Sequence, residues 1–338
     1  RKDLPHWFLP HLAVLNIGSV TTPVRTVFDS GRRYKGVCLN DKLAKGPKAH
    51  NKRLLDVVIR WREEKEVLLG DIKGMFHHIG VKLEDQFMQC FLYRRDRSQV
   101  PQIYVMTVLI MGHVCSPCIA TESVFKTAGR VEDSKPDVAD VLNNSTYVDD
   151  VVHSVARDSI LLAREVHQTL KDHGFTIKQW QFSGESCGRD EVQLFSDDPR
   201  SKGLKESRFK GHGVQNIKVL GVGWDPALDL LVFASGLNFS TKRKGKRSGP
   251  DATAETLVES IPESLTKRVC LEQVMSFYDP NGLIGPYLLC GKILLRQTWE
   301  LGLQWDDPIP NDLKAAWIEF FLKAFQLEKL TFPRCTRP

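Results

Sequence analysis

Two acids stand side by side inside an otherwise apolar, β-branched run, Thr146-Tyr147-Val148-Asp149-Asp150-Val151-Val152. A run of this kind predicts two short strands that meet at the acids. In a regular strand Asp149 and Asp150 would point to opposite faces, so bringing both to one site requires the backbone to turn there, as at a hairpin tip. A buried carboxylate without a partner is costly, and a divalent cation is the usual remedy. The competing explanation is an exposed turn, because Asp is a common turn residue. A third acid decides between them: Val67-Leu68-Leu69-Gly70-Asp71 is a second apolar run ending in a carboxylate, followed by a turn at Gly74. Two separated acidic strand ends of this kind can clamp a pair of magnesium ions.

The rest of the chain is read around that pair of runs. Its 338 residues allow two or three packed domains. Lys and Arg (47) exceed Asp and Glu (41), a net charge of +6 that suits a polyanionic partner. The eight cysteines are scattered, and the close pair Cys115 and Cys118 has no second pair at zinc-finger spacing, so free thiols are expected. No apolar run has the length of a membrane span. The first residue is Arg, not Met, so a piece of something longer is expected.

In chain order, Val24 to Gly31 predicts a strand and turn. Its Asp29-Ser30-Gly31 could be the nucleophile of a retroviral-type aspartic protease, but Arg32 and Arg33 would crowd positive charge beside a proton-sharing dyad. Helical spacing runs from Lys52 to Lys65 through Leu54, Leu55, Val58, Ile59 and Trp61. Phe87–Tyr93 and Gln102–Leu109 predict a hairpin, and Ser116-Pro117 opens a helix. Glu132 to Asp140 reads as a surface loop, Ile160 to His173 as a helix capped by Gly174, and Gly174 to Trp180 as a strand. Lys218 to Phe233 predicts a hairpin. Helices are expected over Leu288–Gly302 and Leu313–Leu327.

With Asp71 and Tyr147-Val148-Asp149-Asp150 in place, the chain resembles the reverse transcriptase of BEL/Pao-type long-terminal-repeat retrotransposons. The resemblance rests on many short motifs in order: Arg25-Thr26-Val27-Phe28-Asp29, Leu39-Asn40, Lys45-Gly46-Pro47, Gly174-Phe175 with Gln179-Trp180, Lys218-Val219-Leu220-Gly221 with Trp224, Thr266-Lys267-Arg268, Phe277-Tyr278-Asp279-Pro280 and Trp305-Asp306-Asp307-Pro308. It implies an α+β right-hand polymerase with fingers, an antiparallel-sheet palm and a helical thumb and connection. Residues 1–235 would form fingers and palm with a primer-grip hairpin, 236–262 a disordered basic linker, and 263–338 the thumb and connection region.

The implied function is RNA-directed DNA polymerisation, adding deoxynucleoside triphosphates to the primer of an RNA or DNA template-primer duplex. Asp71 and Asp149 would hold magnesium or manganese, Asp150 would support them, and Lys178 would be the general acid for pyrophosphate. Arg25, Phe76, Met111 and Gly112 would bind the nucleotide, with Phe76 excluding a 2′-hydroxyl or simply filling the palm core. Leu220 and Gly221 would grip the primer. A cytoplasmic retroelement particle is the implied setting, and Lys242-Arg243-Lys244-Gly245-Lys246-Arg247 could serve nuclear import, tether nucleic acid or be a solvated linker. One departure favours an alternative, a nucleic-acid-binding remnant with weakened catalysis: Leu15-Asn16 stands where the family has a fingers lysine. Aspartic protease and ribonuclease H parts are expected to lie outside the chain.

Overall fold

A computed structural model of the chain describes residues 5–15, 23–47, 54–183, 217–243, 246–247 and 249–337. Asn16 and the Gly- and Ser-rich stretch from 184 to 216 lie outside the described residues. The chain divides into two compact units, one reaching to Leu204 and the other running from Lys205.

The first unit carries strands β1 (His11–Leu15), β2 (Val24–Phe28), β3 (Glu66–Ile72), β4 (Cys90–Tyr93), β5 (Gln102–Val105), β6 (Thr146–Tyr147), β7 (Asp150–Val155) and β8 (Ile177–Phe182). Its helices are α1 (Leu54–Trp61), α2 (Leu83–Gln86), α3 (Ser116–Val131), α4 (Pro136–Asn144) and α5 (Ser159–Asp172). The central sheet is antiparallel in the order β6-β7-β3-β8. Alternate residues of its strands, Leu68, Ile72, Val151, Ile177, Trp180 and Phe182, share a core with α3, α4 and α5. Because side chains alternate across a strand, Asp71 and Asp150, next to Ile72 and Val151, project from the opposite face. α1 is bound to the far end of β7: Ser154 Oγ donates to the Arg60 carbonyl at 2.6 Å and accepts from Glu64 N at 3.1 Å.

Several elements depart from expectation. Glu132 to Asp140 is not a surface loop; from Pro136 it is α4, whose Val138, Ala139, Val141 and Leu142 are buried. Pro136 lies in the first turn, where its missing N–H costs nothing, so it starts the helix. In α1 the buried residues are Val57, Val58 and Trp61, whereas Leu55 and Ile59 are exposed.

The second unit has an antiparallel sheet in the order β14 (Thr331–Pro333), β11 (Leu230–Val232), β10 (Val222–Asp225), β9 (Ile217–Val219). Its helices are α6 (Leu257–Ser260), α7 (Lys267–Val274), α8 (Gly285–Glu300) and α9 (Asn311–Ala324). Arg334, fully buried, meets Asp229 with two bonds at 2.6 and 2.8 Å, and Trp224 Nε1 donates to the same carboxylate at 2.8 Å. A planar guanidinium against a carboxylate makes a strong two-point latch for β14.

The stretch expected to be a disordered linker is ordered where it is described. Leu237, Ala252, Leu257 and Ile261 enter the core that α7, α8 and α9 build. The basic run forms a short ladder of β12 (Lys242–Arg243) and β13 (Lys246–Arg247). Asn238 closes its base, donating to the Gly249 carbonyl and to Asp251 and accepting from Ser240. Lack of apolar periodicity inside the run concealed the apolar anchors on either side of it.

Candidate active site

The acids meet at a hairpin tip. Asp71 pairs with Asp150 in the register of β3 and β7, and Tyr147 pairs with Asp150 across a two-residue turn made of Val148 and Asp149. Paired residues put their side chains on one face, so Asp71, Asp150 and Tyr147 project together. The turn is pinned because Ile72 N donates to the Asp149 carbonyl at 2.7 Å. Val148 is left-handed at φ 54°, a conformation that strains a β-branched side chain.

Lys178 arrives by a bulge. Gly70 pairs with Trp180 and Ile72 with Ile177, so two residues of β8, Lys178 and Gln179, stand against one of β3, Asp71. A bulge re-aims side chains; here Ile177, Trp180 and Phe182 reach one core while Lys178 Nζ stands 3.7 Å from Asp71 Oδ2. Gly70 is required beneath this arrangement, since a Cβ there would lie 2.8 Å from the Trp180 ring.

The electrostatics of the tip are those of crowded carboxylates. Asp71 keeps 37% of its side chain exposed. The Asp149 carboxyl is raised, first by the protein that thins the water around it and also by Asp71, while its own backbone amide and Arg25 pull it down. Asp150 is pushed up to about 7, by desolvation and then by Asp149 and Asp71. Arg25, on exposed β2, is therefore close enough for its charge to act on Asp149.

Of the other candidate residues, Phe76 follows β3 in a short 3-10 turn and is half-buried against the core of the first unit. Met111 is 40% exposed. Gly112 has φ +121°, and a Cβ there would lie 2.2 Å from the Phe28 carbonyl oxygen. Asn40 locks this loop, donating to the Gly112 carbonyl at 3.0 Å and accepting from Val114 N at 3.1 Å. Leu220 and Gly221 lie in the second unit, as the left-handed pair of the turn between β9 and β10, the pattern of a type I′ hairpin. The close approach at Gly221 is made by Tyr278, whose ring would be 2.8 Å from an added Cβ, rather than by open space for a sugar-phosphate chain. Asp29 accepts from Gly31 N at 3.1 Å and so closes a turn.

A supporting cluster escaped sequence reasoning. His153 Nδ1 lies 2.8 Å from Ser145 Oγ, tying β7 to the residue that precedes β6. Near it Asp140 accepts from Arg60 at 2.5 Å and from Asn144 at 2.7 Å. The only sequence signal was a polar residue interrupting an apolar strand.

Among the described residues no three His, Cys, Asp or Glu side chains gather as a metal cluster. A pair of carboxylates is nevertheless the donor set that magnesium takes, completed by waters and substrate phosphates. Burial and mutual repulsion disfavour charge on Asp149 and Asp150, and a bound cation would offset both.

Residues 266–338 match the family model described as Pao retrotransposon-like RNaseH-like domain. No curated protein matches the chain. Among solved structures, the foamy viral protease-reverse transcriptase in complex with double-stranded DNA aligns with TM-score 0.54 and 14% identity over 94% of this chain and 44% of that one. The same kind of protein in complex with an RNA/DNA hybrid aligns with TM-score 0.50 and 14% identity, over 96% of this chain and 34% of that one. The chain thus spans less than half the length of either.

The segment expected as thumb and connection, with ribonuclease H only beyond it, is therefore the part that matches an RNaseH-like model. Its described residues form α7, α8, α9 and β14, and Asp279, Asp306 and Asp307 are engaged in local contacts. Asp306 grips Arg268 with two bonds, Asp307 accepts from Gln304 N, and Asp279 accepts from Leu283 N and Ile284 N ahead of α8. The chain has a mixed α/β fold similar to that of a foamy viral protease-reverse transcriptase and a C-terminal segment similar to the Pao retrotransposon RNaseH-like family.

Proposed function

We propose that the chain is the template-directed nucleotidyl-transfer part of a retroelement Pol protein, an RNA-directed DNA polymerase with a right-hand arrangement. The observation that carries the reading is the pairing of Asp71 with Asp150 beside the hairpin turn that holds Asp149, with Lys178 3.7 Å from Asp71. Asp71 and Asp149 would hold magnesium or manganese, which when bound neutralises phosphate charge and acidifies the attacking hydroxyl. Asp150 supports the tip, since a carboxyl raised to about 7 limits repulsion among three acids. Lys178 would give a proton to departing pyrophosphate. Arg25 holds the phosphates of the incoming deoxynucleoside triphosphate, Phe76 borders its sugar, and the Met111-Gly112 loop sets its position. Leu220 and Gly221 form the primer-grip turn. That both structural neighbours were solved with duplexes supports a template-primer duplex as the partner. A retroelement particle in the cytoplasm is the setting this implies.

Primer extension on an RNA template with magnesium tests the reading. Asp149→Asn should reduce extension to background while duplex affinity stays within about twofold, because the change removes a ligand's charge without altering its shape. Equal extension by variant and parent would refute the metal assignment. A second reading is duplex binding without polymerisation, favoured by Lys178, whose position beside Asp71 already offsets one acid. Duplex binding by a parent chain that extends no primer with either metal would establish it.

A further inference from the structure

The hairpin of β4 and β5 is a two-stranded ribbon outside the central sheet. Its register puts Phe91 opposite Tyr104 and Tyr93 opposite Gln102, so the three aromatic side chains share one face. Phe91 stacks on Tyr104 with centroids 5.7 Å apart, and Tyr93 meets Tyr104 edge-on at 5.9 Å. The row is rooted inward, where Phe91 meets Phe28 edge-on at 5.3 Å. Outward it is open: Tyr93 is 48% and Tyr104 43% exposed. A tyrosine so exposed contributes little to a core.

Beyond Tyr93 the chain turns through Arg94, Arg95, Asp96 and Arg97, all exposed. Asp96 spends its carboxylate on Ser98, accepting from its N at 2.8 Å and its Oγ at 2.6 Å. None of the three arginines is in a salt bridge among the described residues. The tip is therefore a cluster of positive charge at the end of an aromatic row.

We propose that this ribbon is a binding surface for single-stranded nucleic acid, the tyrosines stacking unpaired bases and the arginines contacting the adjoining phosphates. Sequence-tolerant stacking beside a basic track is the chemistry by which single strands are held. A duplex hides its base faces and would gain only the phosphate contacts. A second copy of this chain fits poorly, because two such tips would oppose like charges. The inference does not require the polymerase reading, since binding alone defines it.

Fluorescence anisotropy on the full chain, with labelled oligo(dT), oligo(U) and a DNA duplex, tests the proposal. Tyr93→Ala with Tyr104→Ala should weaken both single strands about tenfold or more, with duplex affinity within about twofold. Tyr93→Phe with Tyr104→Phe should keep the affinity, because the ring faces remain. Arg94→Gln, Arg95→Gln and Arg97→Gln together should flatten the slope of log affinity against log salt by about 2. Single-strand affinity unchanged in the alanine variant, or lowered equally for the duplex, would overturn the proposal. So would sedimentation showing a dimer that the alanine variant dissolves. Should the alanine variant lose its thermal transition, the other two decide: a folded phenylalanine variant that loses affinity, or an unchanged salt slope, overturns the assignment.

Discussion

His153 sits in a strand that otherwise buries valine, and its imidazole is pushed down from 6.5 to about 4. Desolvation is the first cause; Arg60 pushes the same way, while Asp140 and Asp137 oppose it. A histidine whose folded value lies below its unfolded one stabilises the fold above about 6.5, and that contribution is lost as pH falls from there through about 4. Thermal melts at pH 7 and pH 4.5 should therefore show a larger loss of Tm for the parent than for His153→Gln, and identical losses would remove His153 from the account. Phe76 poses a different question at the same scale, since it is half-buried against the core and also follows Asp71 by five residues. Truncating a fully buried Phe costs about 3 to 5 kcal/mol, so Phe76→Ala should cost roughly half of that. If Phe76 borders the sugar, ribonucleotide incorporation should rise in this variant while deoxynucleotide extension survives. Parallel loss of both would leave it a packing residue only.

At the scale of elements, the four-stranded antiparallel sheet was largely legible, because β3 and β7 are apolar runs with an acid at the end where they meet and period-2 alternation fixes which face the acids take. The Gly174 cap and the Ser116-Pro117 helix start were legible for the same reason: each rests on local backbone chemistry that a short window contains. α4 was not, because Pro136 amid charges reads as a break until the buried Val138, Val141 and Leu142 are seen to line one side. The bulge at Lys178 and the Ser145–His153 tie depend on pairing between distant strands, which no local pattern carries. The Met111-Gly112 loop shows what such a long-range fit demands. Gly112 combines a left-handed φ with a backbone oxygen 2.2 Å from where a Cβ would stand. Gly112→Ala should therefore destabilise by more than about 1 kcal/mol and displace the loop that Asn40 locks. A melting temperature equal to the parent's would show that the loop yields freely.

At the scale of the molecule, the stretch that matches a family model and the stretch that can fold need not share a boundary. The match covers 266–338, yet the core around Trp317 and Phe321 includes Leu237, Ala252, Leu257 and Ile261. The match also ends with β14, whose partner is β11, and with Arg334, whose carboxylate is Asp229. A fragment of 266–338 would thus bury Arg334 without its counter-ion or expose it together with β14, and it would leave the α9 face of the core open. Breaking a buried ion pair by removing one partner costs about 3 to 5 kcal/mol, a large share of a small domain's stability. Residues 217–336 restore both deficits, since they hold the β9 to β11 sheet and the four apolar anchors. This longer fragment should therefore unfold cooperatively on heating, with the buried Trp224 and Trp317 giving a sharp change in fluorescence. Residues 266–338 alone should show helical circular dichroism without a cooperative transition, and should bind hydrophobic dye. Within the longer fragment, Asp229→Asn should lower the melting temperature because it strands Arg334. A sharp transition in the short fragment, or none in the long one, would place the folding boundary elsewhere.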